Sequence, residues 1–333
     1  MASRGIVGNA RAALAWFRAH PRTTKAIQAT LVLATVLLCA WAIVDQWHKA
    51  GPRLADANIG YLAAAFLTIA AYYLVFILGW IRMLQAWDIR VPYQPALQAE
   101  MVSMLAKYLP GGVWTPAART VALRRSAGVT DTPTVLASIL VEAALSAISG
   151  VIVFVVSLAW VHGVDAPLWA LVPLALLLAS VLHPKVFRPV AEKILRPFGA
   201  ETIEPLSLGL AILLLLFYCA TWVLGGIAVY FFLRSLGSDP GISTIPFLGG
   251  VSAVGAIVAV LAVFLPSGLG AREASMYGLL LAVTNSGAAL GVTLLNRLAI
   301  TLVELALFAV GIVSWPSRRR AGQSGELSSP PAD

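Results

Sequence analysis

Charge is scarce in this sequence. Only 11% of its 333 residues are Asp, Glu, Lys or Arg, where a soluble domain carries about a quarter. That shortage excludes an ordinary water-facing surface. Cysteine is scarcer still, at two residues. Both Cys39 and Cys219 lie inside apolar runs, where they read as packing residues rather than a disulfide or a metal site. The four histidines, His20, His48, His162 and His183, all fall near the ends of apolar runs. No H-E-x-x-H, G-x-S-x-G or phosphate-binding glycine loop occurs, and neither Ser267 nor Ser275 has an evident base. An enzyme is therefore not expected, and neither is a metal or another cofactor.

Apolar residues fill the space the charges leave: 59% of the chain is hydrophobic and the mean hydropathy is +0.87. Several runs reach the ~20 residues that cross a bilayer. A net charge of +8 fits nucleic acid less well than it fits a membrane protein, because the basic residues sit between and beyond the apolar runs. We read an all-α, polytopic transmembrane bundle with six full spans, at 26–45, 59–82, 132–161, 166–182, 206–233 and 288–314. Helices satisfy their own backbone in lipid, and no period-two pattern suggests a barrel.

Two further regions are apolar but broken. Residues 93–128 contain Pro110 and Pro116 and four basic residues; residues 242–285 contain Pro246, Gly249-Gly250, Gly255 and Pro266-Ser267-Gly268. Read as re-entrant segments, they put both termini in the cytoplasm. Eighteen basic residues then lie on that side, and five lie outside or in outer half-helices (Lys49, Arg53, Arg234, Arg272 and Arg297). The excess is the orientation expected of cytoplasmic loops. A basic leader (1–25) precedes the transmembrane domain (26–316). Within the domain, half one runs over about 59–162, a linker over 183–205 and half two over about 206–316; a disordered cytoplasmic tail covers 317–333. The proline-rich stretch 184–198 fits either an interfacial segment or a plain cytoplasmic loop.

The two broken regions resemble each other. LPGGVWTPAAR (109–119) precedes LVEAAL (140–145), and LPSGLGAR (265–272) precedes LVELAL (302–307). Each half gives Leu-Pro, glycines, an arginine and a helical glutamate. Pro to Arg is nine residues in the first and six in the second; Arg to Glu is 23 and 32. The topology runs span 59–82 and span 206–233 in opposite directions, so the halves form an inverted repeat whose breaks enter from opposite faces. Such repeats frame a midplane site that opens to alternate sides. The break residues are Pro110, Gly111, Gly112 and Trp114 in one half and Pro266, Gly268 and Gly270 in the other.

Charged residues cluster near these breaks. Glu142 lies about 15 Å into its helix and Glu304 about 16 Å from Trp315, at 1.5 Å per residue. A carboxylate at such depth is costly without a partner. Arg119, Glu142, Arg272, Glu273, Arg297 and Glu304 together read as a polar pathway. Arginines beside glycine-opened helix ends suit a phosphate. The glutamates fit three roles: balancing the arginines, binding a cationic headgroup, or taking up a proton. Tyr72-Tyr73 and Trp114 read as interfacial or packing aromatics. Ser146/Gly150 and Gly287/Gly291 read as helix-packing contacts.

These residues resemble a known family, the flippase-like transmembrane region of lysylphosphatidylglycerol synthases with its stand-alone relatives. The likeness covers roughly 25–316. It rests on YLPGGVW with Arg119, on Ala137-Ser138 and Glu142, and on PSGLGARE (266–273) with Asn296-Arg297. Ala143 and Ser146 stand where the family often has Arg and Asp. The resemblance implies translocation of a modified phospholipid or a polyprenyl-phosphate-linked sugar between leaflets. Arg119 and Arg272 would hold the phosphate in inward- and outward-facing states. The expected partners are membrane lipids. The alternative is a non-transporting membrane partner that anchors or regulates a lipid-modifying enzyme or glycosyltransferase. Aminoacyl transfer belongs to a soluble domain of the full synthase and is not expected of this chain.

Overall fold

Polar caps set where the long helices begin. Helix α1 (Ile59–Ala86) starts at Asn58, whose side chain accepts from the Gly60 and Tyr61 amides at 3.0 and 3.3 Å. Shorter helices α2 (Tyr93–Ala106) and α3 (Trp114–Ala127) follow. Asp131 caps α4 (Thr132–Ser157), and Ser207 caps α5 (Leu208–Ser235). A turn of 3-10 helix, Ile242–Thr244, leads into α6 (Ile245–Leu261). Then come α7 (Ala271–Leu280) and α8 (Ser286–Val313), with Asn285 accepting from the Ala288 amide at 2.9 Å. Each cap satisfies amides that the first helical turn leaves without partners.

The structure, a computed structural model, describes residues 57–109, 114–158, 161, 206–262 and 265–313, with isolated positions 37 and 44. The expected span 26–45 apart from positions 37 and 44, the expected span 166–182, the leader, the linker, the tail and Pro110-Gly111-Gly112 lie outside these residues. So does Cys39.

Five described helical stretches are long and apolar enough to cross a membrane: α1, α4, α5, α8 and Ile242–Leu261. Four of them match spans read from the sequence. The fifth falls in the region read as interrupted by glycines. It is continuous because its proline sits in the first turn, where no amide bond is lost. Its glycines mark close approaches of neighbouring helices. A Cβ on Gly249 would lie 2.5 Å from the Trp222 carbonyl oxygen of α5, and one on Gly250 would lie 2.6 Å from Phe154 Cα of α4. Gly150 of α4, expected to be a packing contact, meets Ala253 of α6 in the same way.

Each group of four helices is interrupted after its second helix, which is short in the first group (α2) and long enough to cross in the second (Ile242–Leu261). At 1.5 Å per residue, α2 and α3 are each about 21 Å long and α7 about 15 Å. Those lengths fall short of the ~30 Å hydrocarbon core. Helix α1 packs on α5, α5 on α6, and α6 on both α4 and α7, while α2 pairs with α3 and rests on α8. Large apolar side chains such as Leu67, Ile212, Leu216 and Val310 stay on the outside, as a lipid-facing surface requires. Buried side chains Ile69, Tyr73, Phe232, Phe247 and Val292 join α1, α5, α6 and α8; Ile77, Trp80, Ala96, Leu123 and Ile139 join α1 to α4.

At one end of the bundle, Arg234 pairs with Asp239 and donates to the Tyr61 hydroxyl at 3.2 Å. The guanidinium holds the Asp239 carboxyl below the usual carboxylate range, first through the hydrogen bond and then through its charge. A depressed folded value stabilises the fold above the unfolded pKa, and that stabilisation is lost as pH falls through the folded one. The pair is exposed, so the effect is small. Thermal unfolding of Asp239→Asn in detergent is expected to differ slightly from wild type at neutral pH and to coincide with it in acid.

Candidate functional site

The two breaks meet. The Ser267 amide, just after Pro266, donates to the Lys107 carbonyl at the end of α2 at 3.1 Å. Ser267 is left-handed (φ 51°), an uncommon conformation for a side-chain-bearing residue. Its carbonyl accepts from Arg297 Nη1 of α8 at 3.1 Å. This junction fixes where the charged side chains lie.

On the first-half side, Arg119 of α3 is buried at 3% exposure and reaches two carboxylates. It is hydrogen-bonded to Glu142 of α4, and its Nη2 lies 2.6 Å from Glu100 Oε2 of α2. The guanidinium stacks 3.7 Å from the Trp80 ring centroid, and Trp80 Nε1 donates to Ser138 Oγ at 2.8 Å. Tyr218 of α5 donates to Glu142 at 3.3 Å. Helix α3 turns Arg119 inward while Arg124 and Arg125 face out on its last turn, where the helix dipole favours cations.

On the second-half side, Glu304 of α8, 1% exposed, pairs with Lys107 and accepts from the Tyr73 hydroxyl of α1. Glu273 caps α7 by accepting from the Gly270 amide at 2.7 Å and lies 3.6 Å from Arg297. Among the described residues, Arg297 keeps Nε and Nη2 buried without hydrogen-bond partners, as Glu304 keeps Oε2. The tyrosine contacts cross between groups: α1 serves the carboxylate of α8, and α5 serves that of α4.

Arg272 differs from Arg119 and Arg297. Among the described residues it has no ion pair and no side-chain hydrogen bond. It lines a cavity of about 110 Å³ with Tyr72, Tyr73, Trp222, Ser252 and Asn296. That cavity offers one guanidinium, a few hydroxyl and amide groups, and apolar walls. Such a lining suits an anionic head with a greasy body. Tyr72 and Tyr73 pack in the core as expected, and both also line the cavity, with Tyr73 donating to Glu304. Trp114 is half-exposed and stands at the start of α3.

The residues read from the sequence thus divide between four places. Arg119 with Glu142 forms one cluster, Glu273 with Arg297 a second, and Arg272 opens on the cavity. Glu304 joins Lys107 in the fourth. Lys107 and Arg119 were counted among cytoplasmic-side charges, and Arg297 among outer ones. All three are engaged inside the bundle, so they carry no orientation signal. Glu100, Lys107, Tyr73 and Tyr218 were missed.

A family model described as Lysylphosphatidylglycerol synthase TM region matches residues 27–307. The chain belongs to this family. With five apolar helices long enough to cross a membrane, it is a multi-pass membrane protein related to membrane lipids. A search of curated proteins found no match to it. The lysylphosphatidylglycerol synthase region takes in both breaks and every charged residue described above, so the polar clusters lie within the matched part of the chain.

Proposed function

We propose that this chain is a translocase that moves a phosphate-bearing lipid between the leaflets of the cytoplasmic membrane, with both termini cytoplasmic and no catalytic chemistry of its own. The observation that carries this reading is the Arg272 guanidinium, which has no ion pair among the described residues and lines a cavity walled by Tyr72, Tyr73 and Trp222. A half-buried guanidinium without a carboxylate partner is costly, and a bound phosphate would neutralise it with charge-assisted hydrogen bonds. The apolar walls would shelter the proximal part of a lipid.

The interruption after the second helix of each group and the touching breaks support an inverted arrangement with a site framed from both sides. In this state Arg272 is open and Arg119 is closed by two carboxylates. Alternation would exchange those conditions. The lipid is a modified phospholipid or a polyprenyl-phosphate-linked sugar, the substrate class that the family resemblance implies.

The test is reconstitution of the full chain in vesicles carrying a fluorescent lipid, with quencher added outside. Phosphatidylglycerol, an aminoacylated phosphatidylglycerol and a polyprenyl-phosphate sugar serve as probes. Wild type is expected to move one of them. Arg272→Ala is expected to slow it roughly ten- to a hundredfold, the equivalent of losing one hydrogen-bonded charge contact. Failure of wild type on all three probes, or an unchanged Arg272→Ala rate, overturns the proposal.

A further inference from the structure

Glu100, Arg119 and Glu142 place two carboxylates on one guanidinium. Glu100 and Glu142 are 6% and 3% exposed and Arg119 is 3% exposed, so water screens this charge poorly. Glu100 Oε2 lies 2.6 Å from Arg119 Nη2, yet among the described residues the oxygen has no hydrogen bond. Arg119 Nε is also buried without a partner. The Arg119–Glu142 pair is neutral by itself, which leaves one carboxylate in excess.

The groups that face Glu100 do not remove that excess. Arg119 and Glu142 face it from α3 and α4, Lys107 from the end of its own helix, and Glu304 from α8. Tyr72 of α1 lies within its electrostatic reach, and Tyr218 of α5 within that of Arg119. Lys107 is engaged with Glu304. The tyrosines are neutral donors. Beyond the junction the imbalance has the opposite sign: Glu304 is held by Lys107 and Glu273 lies beside Arg297, which leaves Arg272 as one cation in excess among the described residues.

We infer that the Glu100–Arg119–Glu142 triad is a proton-binding site that loads together with the anionic headgroup. An anion at Arg272 cancels the positive excess and leaves the interior negative by the surplus carboxylate. One proton on Glu100 or Glu142 restores neutrality. The step forms one O–H bond on a carboxylate oxygen and breaks one in hydronium; nothing is oxidised or reduced. Protonation also weakens one of the two contacts on Arg119, which frees that guanidinium for the phosphate in the opposite state. The coupling half of this inference rests on the translocase reading; the proton site stands without it.

Infrared spectroscopy of the purified full-length protein tests the site directly. A carbonyl band of a buried protonated carboxyl is expected to be present in acid and to disappear as pH rises. The band is expected to be lost in Glu100→Gln and, separately, in Glu142→Gln, since either leaves one carboxylate to pair with Arg119. If either variant fails to fold, wild type and the other variant still decide. No titrating band in wild type, or a band retained in every folded variant, overturns the site. In reconstituted vesicles, a pH gradient is expected to accelerate lipid movement by wild type and not by Glu100→Gln. Gradient-independent movement by wild type overturns coupling and leaves translocation standing, whereas a titrating band without lipid movement overturns translocation and leaves the site.

Discussion

Arg119→Met is expected to lower stability by about 3–5 kcal/mol, the range for removing one partner of a buried ion pair. The substitution keeps length and apolar volume while leaving Glu100 and Glu142 side by side without their shared cation. Trp80 also loses the guanidinium stacked on its ring. Adding Glu100→Gln and Glu142→Gln to Arg119→Met is expected to recover most of the loss, because neutral replacements of a buried charged cluster are often tolerated. Thermal unfolding in detergent, followed by size-exclusion fluorescence, measures both. A single variant that unfolds at the wild-type temperature, or a triple variant no more stable than the single, excludes the triad as a structural charge cluster.

The second large effect is expected at Gly268. Its φ is +65°, and an added Cβ would run into the backbone of Ala259 in α6, with the Ala259 oxygen 3.0 Å away. A left-handed conformation costs a side-chain-bearing residue about 1–2 kcal/mol, and overpacking against backbone adds about 1–3 kcal/mol. Gly268→Val is therefore expected to cost about 2–5 kcal/mol by those two contributions. Gly270 supplies the comparison, since its φ is +83° but nothing lies within 4 Å of an added Cβ. Gly270→Ala should show only the conformational part. Equal losses of unfolding temperature at the two positions would mean that close approach to α6 contributes nothing.

Much of the fold was legible because lipid imposes a simple rule on sequence. Long apolar runs of α1, α4, α5 and α8 could be read directly, as could the interruption of the regions 93–128 and 242–285. Gly249 and Gly250 were misread as interruptions because a glycine in a string looks the same whether it ends a helix or lets another helix approach. The site was legible in its charges and illegible in its pairings. Lys107 and Glu304 are 197 residues apart, and no local pattern ties such partners. Glu100 was missed because α2 is of mixed polarity, so one carboxylate in it looks like an ordinary solvated face. Only the packing of α2 against α3 and α8 turns it inward.

The crossed tyrosines bear on how the chain is made. Glu142 is synthesised 76 residues before Tyr218, and Tyr73 precedes Glu304 by 231. While the ribosome is still producing α5, the first group of helices must hold a buried carboxylate whose tyrosine has not arrived. The second group, expressed alone, would lack Tyr73 and Lys107 for Glu304. Neither group finishes its own polar interior, so maturation is a joint event that waits for the C-terminal helices to enter the bilayer.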